Sequence, residues 1–230
     1  MIVRLRNAVL IALLLGAGLA LGGCSEQTPG KAGATAPAGA VAPVPAAPAP
    51  AAAPAAAAPA PAAEARPAPP AVPLAGAVEA VIARGTGFAV GANMMAAKVI
   101  YVLFDPQCPH CGHLWETAKP LGNQIRVVWM PVAFMGPKSA PQGAAILAAK
   151  DPVAAMNAHE ARLAAGQGGM EPPANLDPAL LAKIQVNTAL WHELKGESVP
   201  FLVFKDPASG QSSTLESALE TEQLRKLMRL

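Results

Sequence analysis

Charge is scarce in this sequence: 14% of its 230 residues are Asp, Glu, Lys or Arg. The 17 basic and 15 acidic side chains nearly cancel, and Arg4 and Arg6 in the first segment account for the basic surplus. That balance excludes electrostatic binding to nucleic acid. Cysteine is scarcer, with three in the whole chain, beside four histidines. Four-coordinate structural zinc needs a denser thiol and imidazole cluster than this spacing supplies. A membrane-spanning helix needs about 20 apolar residues, and the apolar run 8–21 is shorter. No phosphate loop, paired carboxylates or Ser-His-Asp order rises above chance.

That short run has a different meaning. Arg4 and Arg6 precede it, and Leu21-Gly22-Gly23-Cys24 follows it. A basic flank, an apolar core and a small-residue end fit a secretory signal. The ending resembles the lipobox of bacterial lipoproteins. By that resemblance Cys24 becomes the first mature residue and carries a thioether-linked diacylglycerol and an N-acyl chain. Several acyl chains anchor stably where one does not. Ser25, in place of aspartate, implies an outer-membrane address on the periplasmic side. An ordinary cleaved signal, or an uncleaved anchor, with Cys24 a spare thiol, stays open. The expected divisions are a signal over 1–23, a tether over 24–73 and a folded domain over 74–230.

The tether is mostly Ala and Pro, with Glu64 and Arg66 its only charges between 32 and 73. Frequent prolines stop helices, and little large apolar surface is present to fold on. Such a chain is a semi-rigid spacer, with a reach of at most about 150 Å at roughly 3.1 Å per residue.

The rest reads as one domain. A short helix is expected over 75–84 and a strand over 88–90. The run VIYVLF, 99–104, is continuously apolar and rich in β-branched and aromatic residues, which reads as a buried central strand. A helix follows over 109–121 and a strand over 125–132. Helices are expected over 142–150, 152–165 and 178–194, then strands over 201–205 and 212–215 and a closing helix over 220–230. This order implies an α/β layer protein, a mixed sheet with a helical insertion.

The sequence DPQCPHCGHLW, residues 105–115, holds the other two cysteines. The loop between Cys108 and Cys111 is too short for a disulfide there to restrain the unfolded chain much. The pair follows a strand and opens a helix. Cys108 falls at the helix N-cap and Pro109 at the first helical position, where its missing N–H costs nothing. Free N–H groups and the helix dipole favour a Cys108 thiolate. Haem attachment needs histidine directly after the second cysteine, and Gly112 stands there. A copper site using both thiols with His110 or His113 is a rival reading, with Met94, Met95, Met130 and Met135 read as core or surface residues and not as ligands. A disulfide of purely structural use is another.

The run VIYVLFDPQCPHCGHLW resembles the active-site strand and helix of the thioredoxin fold, in the bacterial periplasmic DsbC/DsbG branch. GAAILAAKDPVAAMNAHEA resembles that branch's helical insertion, and SVPFLVF its cis-proline loop and next strand. The resemblance implies a thiol:disulfide interchange protein, a reductase or isomerase, of thioredoxin-like fold. Cys108 would attack and Cys111 resolve. Pro109 and His110 would tune the potential, and Val199-Pro200 would bind substrate main chain through a cis peptide bond. It implies no cofactor beyond the Cys108–Cys111 disulfide and no metal. It implies exported protein substrates and a membrane electron donor of the DsbD type.

Three departures bear on direction. The branch's N-terminal dimerisation domain is replaced by the tether, which leaves a monomer open. Val199 precedes the proline where the branch usually has threonine, which resembles the DsbA-type oxidase. Thioredoxin and DsbA carry a buried acid six residues before the first cysteine, and Val102 stands there. Asp105 is nearer, as a proton-transfer group for Cys111 or as a turn residue before Pro106.

Overall fold

The computed structural model describes residues 68–93 and 98–230. The signal, Cys24, the Ala/Pro-rich stretch to residue 67, Met94 and Met95 lie outside the described residues. Among the described residues no helix is long and apolar enough to cross a membrane.

A mixed sheet is built around β3, Lys98–Phe104, whose Ile100, Val102, Leu103 and Phe104 are all buried. A strand flanked by strands and covered by helices must be apolar on both faces. β4, Ile125–Pro131, runs parallel to it with Val102 opposite Trp129. Parallel neighbours need a crossover, and α2, Pro109–Ala118, supplies it. On the other side of β3, β5 (Phe201–Lys205) is antiparallel, with Leu103 opposite Phe201. β6, Ser212–Glu216, returns beside β5 after the turn held by Asp206 and Gly210. β2, Phe88–Gly91, pairs with the outer side of β4. The sheet order is β1-β6-β5-β3-β4-β2.

β1 is Val72–Pro73, paired with Ser213 and Thr214. The folded unit therefore begins earlier than the expected residue 74. Proline disfavours a central strand, but it is tolerated at a sheet edge, which is where this pair lies.

Three tryptophans pin the helices to the sheet. Trp115 of α2 meets Trp129 of β4 edge to face at 5.1 Å, and Phe104 meets Trp129 at 5.6 Å. Trp191 belongs to α5, Pro178–Glu193, and donates its indole N–H to the Ser198 carbonyl at 3.3 Å. Asn187, also on α5, is fully buried; it exchanges hydrogen bonds with Thr86 and donates to the Pro131 carbonyl. It thereby ties the loop after α1 (Ala77–Arg84) to the end of β4.

The insertion between β4 and β5 holds α3 (Ser139–Ala148), α4 (Pro152–Ala164) and α5. α3 begins three residues before its expected start, because Pro141 sits in its first turn, where an absent N–H costs nothing. Asp151 caps α4 by accepting from the Val153 and Ala154 N–H groups, and Asp177 caps α5. α2 ends at Ala118, short of the expected 121, and a 3₁₀ turn over Lys119–Leu121 follows, since Pro120 cannot continue an α-helix. α6, Thr221–Leu227, closes the chain with a capping box between Glu220 and Gln223.

Candidate active site

Cys108 lies at the end of β3's connection, with extended backbone, φ −91° and ψ 113°, as the N-cap of α2. Pro109 is the first helical residue. Cys108 is 4% exposed and Cys111 fully buried, and both thiols are free. The exposed surface of the motif is Pro109 and His110.

The two sulfurs have opposite electrostatics. The Cys111 thiol donates to the Cys108 sulfur and is the largest influence lowering its pKa, to about 6. The N–H groups of Cys111 and His110 and the charge of His110 act in the same direction, against burial. These N–H groups belong to the first turn of α2 and crowd toward one sulfur, the Cys111 N–H also bonding the Cys108 carbonyl at 3.0 Å. Cys111 moves the other way: burial pushes its pKa well above the ordinary range, and its hydrogen bond to Cys108 and the thiolate's charge add to this. One sulfur is a nucleophile near neutral pH and its neighbour holds its proton.

The Val199–Pro200 peptide bond is cis. The Cys108 thiol lies 3.5 Å from the Val199 carbonyl oxygen. Pro200 is buried, and Glu216 braces the segment before it by accepting from the Glu197 N–H at 2.9 Å and the Ser198 hydroxyl at 2.7 Å. The structure thus brings together Cys108, Cys111 and Val199-Pro200, four residues singled out from sequence.

Asp105 is fully buried, and its carboxylate is surrounded by four donors. Oδ2 accepts from the Phe134 and Met135 N–H groups at 2.7 and 2.8 Å; Oδ1 accepts from the Gln107 N–H and the Ser139 hydroxyl, both at 2.8 Å. Its place is that of a loop anchor: it closes the turn into Cys108 and fastens the β4–α3 connection beside it. These bonds fit the turn role, and Asp105 also acts on Cys111, its backbone N–H lowering and its charge raising that thiol's pKa.

Histidine positions bear on the metal rival. His113 pairs with Glu220 at 2.9 Å, His192 stacks on Trp191, and His159 lies inside the insertion. Among the described residues no three His, Cys, Asp or Glu side chains come together as a metal site.

Two residues unremarked in the sequence as part of this site belong to it. His159 of α4 is fully buried; its Nε2 is 2.6 Å from the Pro106 carbonyl oxygen and its Nδ1 accepts from the Met170 N–H at 3.1 Å. The ring therefore carries its proton on Nε2, and burial lowers its pKa. Next to it Glu160 presses on α2: a Cβ placed on Gly112 would lie 2.1 Å from the Glu160 Oε2 atom. Burial pushes the Glu160 carboxyl up to about 8, and the Cys108 charge adds to that. Gln107 joins the grip, donating to Gln142 and to the Gly168 carbonyl. The one sequence signal was Gly112 itself, a small residue inside a helix, at a buried position where α4 packs closely.

No protein-family model matches the chain. It is 27% identical over 136 residues to the thiol:disulfide interchange protein DsbG of Pseudomonas aeruginosa, covering 58% of this chain and 52% of that protein. It is 28% identical over 126 residues to DsbG of Escherichia coli, covering 54% of this chain and 48% of that one. The chain spans about half the length of the curated relatives it matches. Among solved structures, a periplasmic thioredoxin-like protein from Salmonella enterica serovar Typhimurium superposes with a TM-score of 0.51 at 16% identity, over 66% of this chain and 94% of that one. With a βαβ unit, an antiparallel ββα unit and a Cys-Pro-His-Cys helix start, the chain has a thioredoxin-like fold and is a relative of the DsbG thiol:disulfide interchange proteins.

Proposed function

We propose that this protein is a thiol:disulfide oxidoreductase that exchanges disulfides with exported proteins, in the DsbG manner of a reductase or isomerase. The observation that carries the reading is the asymmetry of the pair: a Cys108 thiol with its pKa near 6 beside a buried Cys111 that keeps its proton. The Cys108 thiolate attacks a substrate disulfide and forms a mixed disulfide. The substrate main chain lies along the Val199-Pro200 loop. Cys111, once deprotonated, attacks the Cys108 sulfur and releases the reduced substrate. His110 and Pro109, exposed at the motif's surface, tune the potential, and a membrane donor of the DsbD type re-reduces the pair. No cofactor or metal enters this cycle. Cys24 lipidation and the tether hold the domain at the periplasmic face of the outer membrane, where it works as a monomer.

A second reading, an oxidase of the DsbA kind, is favoured by Val199 before the cis-proline. The reduction potential separates the two. In glutathione buffers, with tryptophan fluorescence as the readout, a value near about −120 mV supports the oxidase, and one near or below about −180 mV supports the reductase or isomerase. Retention of exchange activity in Cys108→Ser would sink both, as would a pair that never equilibrates with glutathione.

A further inference from the structure

The exchange cycle leaves one buried acid without a role. Glu160 is 7% exposed, and its Oε1 atom has no hydrogen-bond partner. Isolated buried carboxyls are costly when ionised, so an unpartnered one invites an explanation. Its other oxygen lies against Gly112, whose N–H bonds back to the Cys108 carbonyl at 3.3 Å. Glu160 therefore sits one helical turn from the nucleophile, on the same side of α2.

The surrounding charges do not neutralise it. Glu160 lines a groove of about 690 Å³ between α2 and α4, together with Pro109, His113, Glu116 and Lys119. His113 is paired with Glu220, and Lys119 with Glu116 at 2.6 Å. Cys108 at the start of α2 and Glu116 within it oppose its ionisation, and Lys119 of the following 3₁₀ turn favours it. The Cys108 charge exists only while that sulfur is a thiolate, and a disulfide carries none. Glu160 thus holds a proton more tightly in the reduced protein than in the oxidised one.

We propose that Glu160 is the proton-exchanging partner of the redox pair, taking up a proton when the Cys108–Cys111 disulfide is reduced and releasing it when the disulfide re-forms. The inference rests on the exchange function proposed above. The step balances. A dithiol donor, the membrane reductant in the reductase cycle, gives two electrons and two protons to the pair and becomes a disulfide, while the Cys108–Cys111 bond breaks. Cys111 keeps one proton as a thiol, Cys108 remains a thiolate, and the second proton goes to the Glu160 carboxylate. No other reactant is required.

The test measures the reduction potential of the full chain and of Glu160→Gln in glutathione buffers across a pH series. Each added proton changes the equilibrium constant tenfold per pH unit, about 30 mV for a two-electron couple. The two potential–pH lines are expected to differ in slope by up to that amount between the oxidised-state and reduced-state pKa values of Glu160, and to run parallel outside that window. A reduced-minus-oxidised infrared difference spectrum of the unmutated protein gives an independent readout. A protonated-carboxyl band should appear on reduction and be missing in Glu160→Gln. Lines parallel at every pH, or no carboxyl band in the unmutated protein, overturn the inference and leave exchange intact. A pair that does not equilibrate with glutathione overturns both.

Discussion

At the scale of single residues, Cys108 and Cys111 are two identical groups made different by their surroundings. Cys108 sits where backbone donors converge and Cys111 one turn inside. The largest influence on Cys108 is the Cys111 thiol. Replacing Cys111 with alanine removes that donor, so the Cys108 pKa should rise from about 6 towards its ordinary 9. The thiolate absorbance titration of the reduced variant reads this directly, and an unmoved midpoint would mean the helix N–H groups suffice alone. His159 makes a second prediction. Its folded pKa lies below the ordinary 6.5, so the unfolded chain takes the proton first. Stability should be lost as pH falls from about 6.5 towards the lower folded value. Denaturant midpoints across that range check it, and His159→Gln should flatten the dependence. The cysteines and the cis-proline were legible because each needs a particular residue type at a fixed offset from a strand or a helix start. Glu160 was not, because its meaning depends on burial against a helix some fifty residues away in sequence.

At the scale of elements, the insertion is where reading and structure diverge most. Within it, α4 and α5 were foreseeable from Asp-Pro starts at Asp151 and Asp177, since Asp caps and Pro tolerates the first turn. Its purpose was not, since the periodicity of α4 says which face is apolar and nothing about what that face meets. α4 delivers two successive residues to the motif, His159 onto the Pro106 carbonyl and Glu160 onto Gly112. Loosening α4 should therefore be felt at the cysteines. Asp151→Ala removes two capping hydrogen bonds and should cost about 1 kcal/mol of stability. Gly112→Ala drives a methyl into the Glu160 carboxyl and should shift the Cys108 pKa, while an alanine at exposed Lys150 should leave it alone. Chemical denaturation and thiolate titration of these variants measure the two effects separately.

At the scale of the whole molecule, the thiolate links redox state to folding. In the reduced protein the Cys108 pKa falls from 9 to about 6. That depressed value contributes stability fully present above about 9 and lost as pH falls through about 6. The disulfide form lacks it. The advantage of reduced over oxidised protein should thus widen between those pH values, by up to tenfold in the folding constant per unit. Paired unfolding curves of the two forms test this, and a constant gap would contradict a folded-state thiolate. The sheet was readable from VIYVLF and its partners, because a strand buried on both faces leaves few other sequences. Its first strand was hidden in a proline-rich stretch whose composition argues against any strand, and pairing with β6 overrode that composition.

That first strand decides what the margin of the sheet can accept. Leu74 donates its N–H to the Ser212 carbonyl at 2.8 Å. In an antiparallel pair the residues alternate between facing the partner and facing away, so Pro73 occupies the outward position, and there it has no N–H to offer. Another extended chain arriving at this margin meets a position that cannot zip it onto the sheet. Of the two margins of the sheet, the one at β1 is thus blunted by a single imino acid, while the one at β2 keeps its donors.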